Sequence, residues 1–204
     1  MKAEPALVWP DYTRDEAQKA WCLKHLRSAE LAISLCRTRR AVVQAGGNIG
    51  LWPRRYARDF ERVYTFEPEP ASRAVLVQNV AHLPEVIVRP EALGSEPGVC
   101  GIKPRSLGSH TVVEGDAVAV IALDSLGLTD VDLLQLDIEG YEVRALRGAL
   151  DTIRRSRPVI QVEMRGFTEK YGDSDAALVA LLKAEGYREH ARVPGSDVVF
   201  IHAA

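Results

Sequence analysis

From residue 41 onward, short runs of apolar, mostly β-branched residues alternate with amphipathic stretches, and that alternation sets the expected elements. Ala41-Val42-Val43-Gln44-Ala45 reads as a buried strand, followed by a glycine-rich turn and a helix over 51–60. A strand at 62–66, a helix over 71–81 and a strand at 85–90 come next. Short β signals at 99–102, 111–114 and 117–123 precede a buried strand at 132–136 and a helix over 141–156. A strand at 158–163 leads to a helix over 174–185, with Gly186 as its expected C-cap. Two closing runs, 187–193 and 198–202, are joined by Pro194-Gly195-Ser196-Asp197 and read as an antiparallel hairpin. Alternating β and α units predict an α/β fold: a mostly parallel, Rossmann-like sheet with helices on both faces. A plain dinucleotide fold would end on another parallel strand, so the closing hairpin departs from it.

Residues 1–40 look helical throughout. Thr13-Arg14-Asp15-Glu16 is a capping box, and Ala17, Ala20, Trp21, Leu23, Leu26, Leu31 and Leu35 recur near helical spacing. The pattern predicts an N-terminal helical cap (1–40) ahead of a main domain (41–204). Amphipathic helices mostly cover one end of a sheet; a position ahead of a nucleotide-type fold would also let this one close a cleft.

A length of 204 residues suits one domain of ordinary size with such an appendage. Lys and Arg number 26 against 28 Asp and Glu, for a net charge of −2, which argues against a nucleic-acid partner. Cys22, Cys36 and Cys100 have no CxxC spacing, which excludes a zinc ribbon and argues against a disulfide framework. The longest apolar runs, such as 117–123, fall far short of the ~18 residues a membrane span needs. No apolar stretch of the signal-peptide kind follows Met1. A soluble, cytoplasmic protein without a membrane partner is the expectation. Arg54, Arg55 and Arg58, like Arg154, Arg155 and Arg157, read as solvated faces.

Chemistry enters with Val42-Val43-Gln44-Ala45-Gly46-Gly47-Asn48-Ile49-Gly50, a strand running into glycines and then a helix. Glycines suit a sharp turn and a close backbone approach to a ligand, and the free N–H groups of a helix start suit a polar one. Two registers fit imperfectly. Ala45-x-Gly47-x-x-Gly50 is the dinucleotide pattern with its first glycine replaced, and Gln44-x-Gly46-x-Asn48-x-Gly50 is the S-adenosylmethionine pattern with two substitutions. Glu67, in Tyr64-Thr65-Phe66-Glu67-Pro68, ends the second strand where a carboxylate can accept both ribose hydroxyls of either cofactor. Further on, the buried strand Val131-Asp132-Leu133-Leu134-Gln135-Leu136 delivers Asp137 and Glu139 to its C-terminal end, and the strand at 158–163 delivers Glu163. In open α/β sheets those ends face the ligand cleft. Glu139 has a second reading as the cap of the helix that starts near Tyr141. His110, in the irregular stretch after the third strand, is either a general base or a surface histidine.

The loop at 44–50, Phe66-Glu67-Pro68, Ala92-Leu93-Gly94, Leu123-Asp124-Ser125-Leu126, Leu136-Asp137-Ile138-Glu139-Gly140 with Leu146-Arg147-Gly148-Ala149, and Arg157-Pro158-Val159-Ile160-Gln161-Val162-Glu163 resemble the successive motifs of the FkbM family. The resemblance covers residues 41–165 in order. It implies a class I methyltransferase sheet, in which the antiparallel last strand belongs, and methyl transfer from S-adenosylmethionine to a hydroxyl oxygen of a small acceptor such as a saccharide or natural product. It implies cofactor contacts from Gln44, Gly46, Gly47, Asn48, Gly50, Glu67, Pro68, Glu91, Ala92 and Asp137. An aliphatic hydroxyl resists deprotonation, so either Asp137 or Glu139 acts as the base, with His110 as a further candidate, or Asp137 and Glu163 hold Mg2+. The sequence leaves these open.

Two positions depart from the family pattern. The family usually carries Asp or Glu where Gln44 stands, so a neutral amide predicts weaker cofactor binding, and it commonly carries Lys where Gln135 stands. A nucleotide or nucleic-acid acceptor and a non-catalytic scaffold are the alternatives, although no Asn-Pro-Pro-Tyr-type or Pro-Cys methylase block is present. A homodimer that completes the cleft is compatible with a chain of this size.

Overall fold

The computed structural model describes residues 5–10, 16–106, 109–193 and 197–203. Residues 5–10 form a strap without helix or strand, followed by α1 (Glu16–His25) and α2 (Arg27–Leu35). The core then runs through β1 (Ala41–Ala45), α3 (Leu51–Tyr56), β2 (Arg62–Phe66), α4 (Pro70–Val80) and β3 (Val86–Arg89). A separate small sheet holds β4 (Ala92–Leu93), β5 (Gly98–Ser106) and β6 (Ser109–Ile121). The second half comprises β7 (Val131–Leu136), α5 (Glu142–Arg147), α6 (Leu150–Ser156), β8 (Val159–Glu163), α7 (Asp175–Ala184), β9 (Tyr187–Val193) and β10 (Asp197–His202). The main sheet is ordered β3-β2-β1-β7-β8-β10-β9, with β10 antiparallel to both neighbours and every other pair parallel. Its order reverses between β1 and β7, the switch point at which open α/β sheets form their cleft.

Both faces of the sheet are covered, which is why β1, β7 and β8 read as nearly continuous apolar runs. On one face Val43, Ala45, Leu134, Leu136, Ile160 and Val162 pack under Val143, Leu146, Ile153, Leu178 and Leu182 from α5, α6 and α7. On the other, Val42, Leu133, Val159 and Val199 meet Ala29, Ala32 and Ile33 of α2, Tyr56 of α3 and Phe60. Side chains alternate with a period of two, so Gln44, Gln135 and Gln161 continue this second face. They stand in register across β1, β7 and β8, all fully buried. Gln44 Oε1 accepts a bond from the Thr65 hydroxyl, and Gln161 Nε2 donates to Ser28 Oγ of α2 (3.0 Å) and Asp197 Oδ2 (3.1 Å). Among the described residues, neither polar atom of the Gln135 side chain has a partner.

Several expected bounds shift for identifiable reasons. The N-terminal segment is not helical throughout, because the strap precedes α1 and residues 36–40 carry no helix. Thr13, expected as a helix cap, lies outside the described residues, as do Pro194, Gly195 and Ser196 of the closing turn. The helix expected over 51–60 stops at Tyr56. The helix expected over 141–156 is broken between α5 and α6 at Gly148-Ala149, where a Cβ on Gly148 would lie 2.0 Å from the Gly94 carbonyl oxygen. Asp124 then caps α6 from a distance, its carboxylate accepting from Asp151 N–H (3.0 Å) and Thr152 N–H (2.8 Å). The motifs at 92–94, 123–126 and 146–149 thus meet at one junction. The β signals at 111–114 and 117–123 belong largely to one long strand, β6, paired with β5. No helix among the described residues is long and apolar enough to cross a membrane.

The unpartnered Gln135 amide gives a direct expectation. Replacing a buried polar group that lacks partners by an apolar one of similar shape is neutral or favourable. Gln135→Met should leave stability unchanged or raise it by about 1 kcal/mol in urea unfolding; a loss of that size would mean that the amide is satisfied.

Candidate active site

At the carboxyl ends of β1, β2, β7 and β8 lies a cavity of about 320 Å³. The glycine turn forms one side: Gly46, Gly47, Asn48 and Ile49 line it, with Leu51 and Trp52 of α3 and Cys22 of α1 beside them. Gly46 N–H (3.1 Å) and Gly47 N–H (2.9 Å) both donate to the Phe66 carbonyl. The close approach that requires glycine at position 46 is to the protein itself. A Cβ there would stand 1.9 Å from the Asp137 carbonyl oxygen, at a φ of +91°. Asn48 follows in the left-handed region (φ 45°), and its side-chain oxygen is buried without a partner among the described residues.

Glu67 braces this turn. One carboxylate oxygen accepts from Asn48 N–H (2.6 Å) and the other from Glu69 N–H (2.8 Å), and the residue is 3% exposed. Each oxygen keeps further accepting capacity, and Glu67 and Pro68 line the cavity. Burial pushes the Glu67 carboxyl up to about 7, against the backbone bonds that favour its charged form. Glu91 and Ala92 also line the cavity, and Glu91 is held by Arg89 (2.7 Å). Gln44 and Gly50, both expected to touch a cofactor, are not among the lining residues. Gln44 points into the buried glutamine row, and Gly50 is the N-cap of α3.

The opposite side is acidic. Asp137, Glu139 and Glu163 each present a carboxylate oxygen within 4.8 Å of the others. Asp137 follows Gln135 on one strand face, Glu163 follows Gln161, and Asp197 stands opposite Glu163 in register. Glu139 does not cap α5. Instead Glu142 reaches back, and its Oε1 accepts from Ile138 N–H (3.0 Å) and Gly140 N–H (3.2 Å). That leaves Glu139 on the cavity wall in a left-handed conformation (φ 59°), a conformation that costs about 1 kcal/mol for a residue with a Cβ. Burial, reinforced by Glu163, Asp197 and Glu139, raises the Asp137 carboxyl well above its ordinary value. Burial also pushes Glu163 up to about 7, opposed by Arg165 at 2.9 Å.

His110 lies on the wall beside Val112 and Ile102, two residues along the same face of β6 and its register partner on β5. Tyr171 pins that strand: its hydroxyl accepts from Val112 N–H at 3.0 Å. Partial burial lowers the pKa of His110, with Glu69 and Glu139 pulling the other way, which favours the neutral imidazole, the form that can accept a proton. Sequence reasoning missed Asp197, Arg165, Tyr141, Phe167, Trp52 and Cys22, which complete the wall. Asp197 had been read as part of a turn; only its register opposite Glu163 marks it.

Residues 44–189 match the family described as the methyltransferase FkbM domain. No curated protein is a significant match. Among solved structures, methyltransferase FkbM from Methylobacillus flagellatus is 16% identical with a TM-score of 0.54. That match covers 96% of this chain, which spans only 56% of the other. Magnesium protoporphyrin IX methyltransferase from Synechocystis, with bound S-adenosylmethionine, is 11% identical with a TM-score of 0.58, covering 95% and 87% of the two chains. N-methyltransferase NodS from Bradyrhizobium japonicum is 13% identical with a TM-score of 0.56, covering 92% and 96%. At such identities the likeness is one of fold.

The raised carboxyls predict how stability follows pH. Glu67 and Glu142 both titrate near 7 when folded and near 4.5 in an unperturbed chain. The folded protein therefore keeps protons that the unfolded chain has lost, and stability falls as pH rises from about 4.5 through about 7. Glu142→Gln keeps an oxygen for both N–H groups and removes the charge, so its urea-unfolding free energy should fall less steeply across this range. Identical slopes would contradict the assignment.

Proposed function

We propose that this chain, which belongs to the FkbM methyltransferase family, transfers the methyl group of S-adenosylmethionine to a hydroxyl oxygen of a small, uncharged or cationic acceptor, such as a saccharide. In this reading residues 1–40 cap the cofactor side and residues 41–204 carry the chemistry. The observation that supports it most is the joining of a glycine turn, its bracing carboxylate Glu67 and a set of proton acceptors in one cavity. The unpartnered Asn48 oxygen and the free lone pairs of Glu67 suit the polar groups of the cofactor. When bound, the cofactor supplies an electrophilic methyl group on a sulfonium.

The residues then have two tasks, holding the acceptor in line and taking its proton. The acceptor oxygen forms the new O–CH3 bond as the S–CH3 bond breaks, and its proton passes to the neutral imidazole of His110 or to a carboxylate, Asp137 or Glu139. Wall charge selects the acceptor. Glu67, Glu91, Asp137, Glu139, Glu163 and Asp197 face Arg165, the only Lys or Arg among the described lining residues. A phosphate-bearing acceptor would meet repulsion there, which argues against nucleotides and nucleic acid. Tyr141 and Phe167 add flat apolar faces suited to a sugar ring.

A second reading of the base rests on the three clustered carboxylates. Their all-oxygen donor set fits a hard divalent cation such as Mg2+, held by Asp137, Glu139 and Glu163. Such an ion would acidify an acceptor hydroxyl.

Transfer of labelled methyl to a panel of hydroxylated acceptors, saccharides first, tests the reaction. His110→Gln should lower kcat by ~10²–10⁴-fold and remove the low-pH limb of kcat/KM, with S-adenosylhomocysteine affinity unchanged. Full activity in that variant moves the base to Asp137 or Glu139. Loss of turnover in chelator, restored by Mg2+, selects the metal-bound form. Absence of transfer to any hydroxyl together with transfer to an amine overturns the acceptor class.

A further inference from the structure

We propose that Asn79 is a positioning residue for the cofactor, and that through it the N-terminal strap belongs to the cofactor-binding machinery. This rests on S-adenosylmethionine being the cofactor. Asn79 stands near the end of α4 and is 2% exposed. Its side-chain oxygen accepts from Val8 N–H at 2.7 Å, and its Nδ2 donates to the Val8 carbonyl at 2.9 Å and the Ile49 carbonyl at 2.8 Å. Both amide hydrogens are thereby used, and one side chain clasps the backbone of Val8 in the strap and the glycine turn together. A second tie, Arg54 Nη2 to the Pro5 carbonyl at 2.7 Å, fixes the strap to α3, the helix that the turn leads into.

Ile49 is the sensitive point. It sits between Asn48 and Gly50, both of positive φ, and it lines the cavity. Such a conformation persists only where its surroundings over-determine it. Glu67 holds the turn from one side through Asn48 N–H, and Asn79 holds it from the other through the Ile49 carbonyl. With Asn79 truncated, that buried carbonyl loses its donor and the turn relaxes toward ordinary backbone. The cofactor would then have to restore the turn on binding, and its affinity would fall by that amount.

The test compares S-adenosylhomocysteine Kd, by calorimetry, with urea-unfolding stability in the full-length chain. Asn79→Ala should raise Kd about tenfold at a temperature where it is fully folded. Val8→Pro removes the strap's N–H donor to Asn79 and also fixes the backbone at that residue; it leaves the bond to the Ile49 carbonyl and should raise Kd in the same direction by less. Tyr187→Phe loses a buried bond to the Pro158 carbonyl at the far edge of the sheet; it should cost stability and leave Kd unchanged. Wild-type Kd in Asn79→Ala, with only stability reduced, overturns the positioning role. Should Asn79→Ala not fold, Val8→Pro decides, and wild-type Kd there overturns the part assigned to the strap. If Tyr187→Phe raises Kd as much as Asn79→Ala, the effect is general destabilisation and the proposal fails. A wild-type chain that binds no S-adenosylhomocysteine overturns the cofactor reading itself, and this one with it.

Discussion

Burying acids beside one another is the constraint around which the site is built. A pleated strand returns to the same face every second residue, so the row that holds Gln135 and Gln161 is followed by one that holds Asp137 and Glu163, with Asp197 next to it on β10. Glu139 joins them from the turn after β7. These groups repel as carboxylates and are costly to desolvate, and the shifts of Asp137 and Glu163 record both effects. Arg165 answers Glu163 at contact distance. The cluster thus favours whatever brings positive charge to it: protons, a divalent cation, or a cationic acceptor.

The rest of the architecture keeps that cluster from relaxing. Glu142 ties down the turn that carries Glu139, and Gln161 holds Asp197 while reaching α2 through Ser28. Gly46 lets the Asp137 carbonyl come closer to the glycine turn than any side chain would permit. The acidic side and the glycine turn are therefore in backbone contact. A shift in the glycine turn cannot leave Asp137 where it was, which makes the support given to that turn by Glu67 and by Asn79 matter to both.

How much of this was legible in the sequence follows the range of the interactions. β1 and β2 came out with the bounds expected, because each is a short run dominated by β-branched, aromatic or small apolar residues and bounded by polar or glycine positions. The carboxylates at 137, 139 and 163 were legible too, since strand ends are local. What needed the structure was whatever depends on register. Asp197 looked like a turn residue, Arg54 like a solvated cation although it is 8% exposed and bonded to the strap, and Glu139 like a cap although α5 has no side-chain cap and Glu142 instead ties down the turn before it. The break at Gly148 was likewise invisible, because its cause is the Gly94 carbonyl more than fifty residues away.

Register also accounts for the two departures from the family pattern. Gln44 and Gln135 are partners across β1 and β7 on one fully buried face. An acid at the first position and a lysine at the second, as the family commonly has, would face each other there as an ion pair. Removing one half of such a pair leaves a buried, uncompensated charge at a cost of about 3–5 kcal/mol, whereas replacing both halves is often neutral. The two glutamines then read as a single change that leaves both positions uncharged, with no hydrogen bond between the two amides. Gln44 is not among the residues that line the cavity, and it shares its buried row with Gln135, so the loss of charge at one position matches the loss at the other.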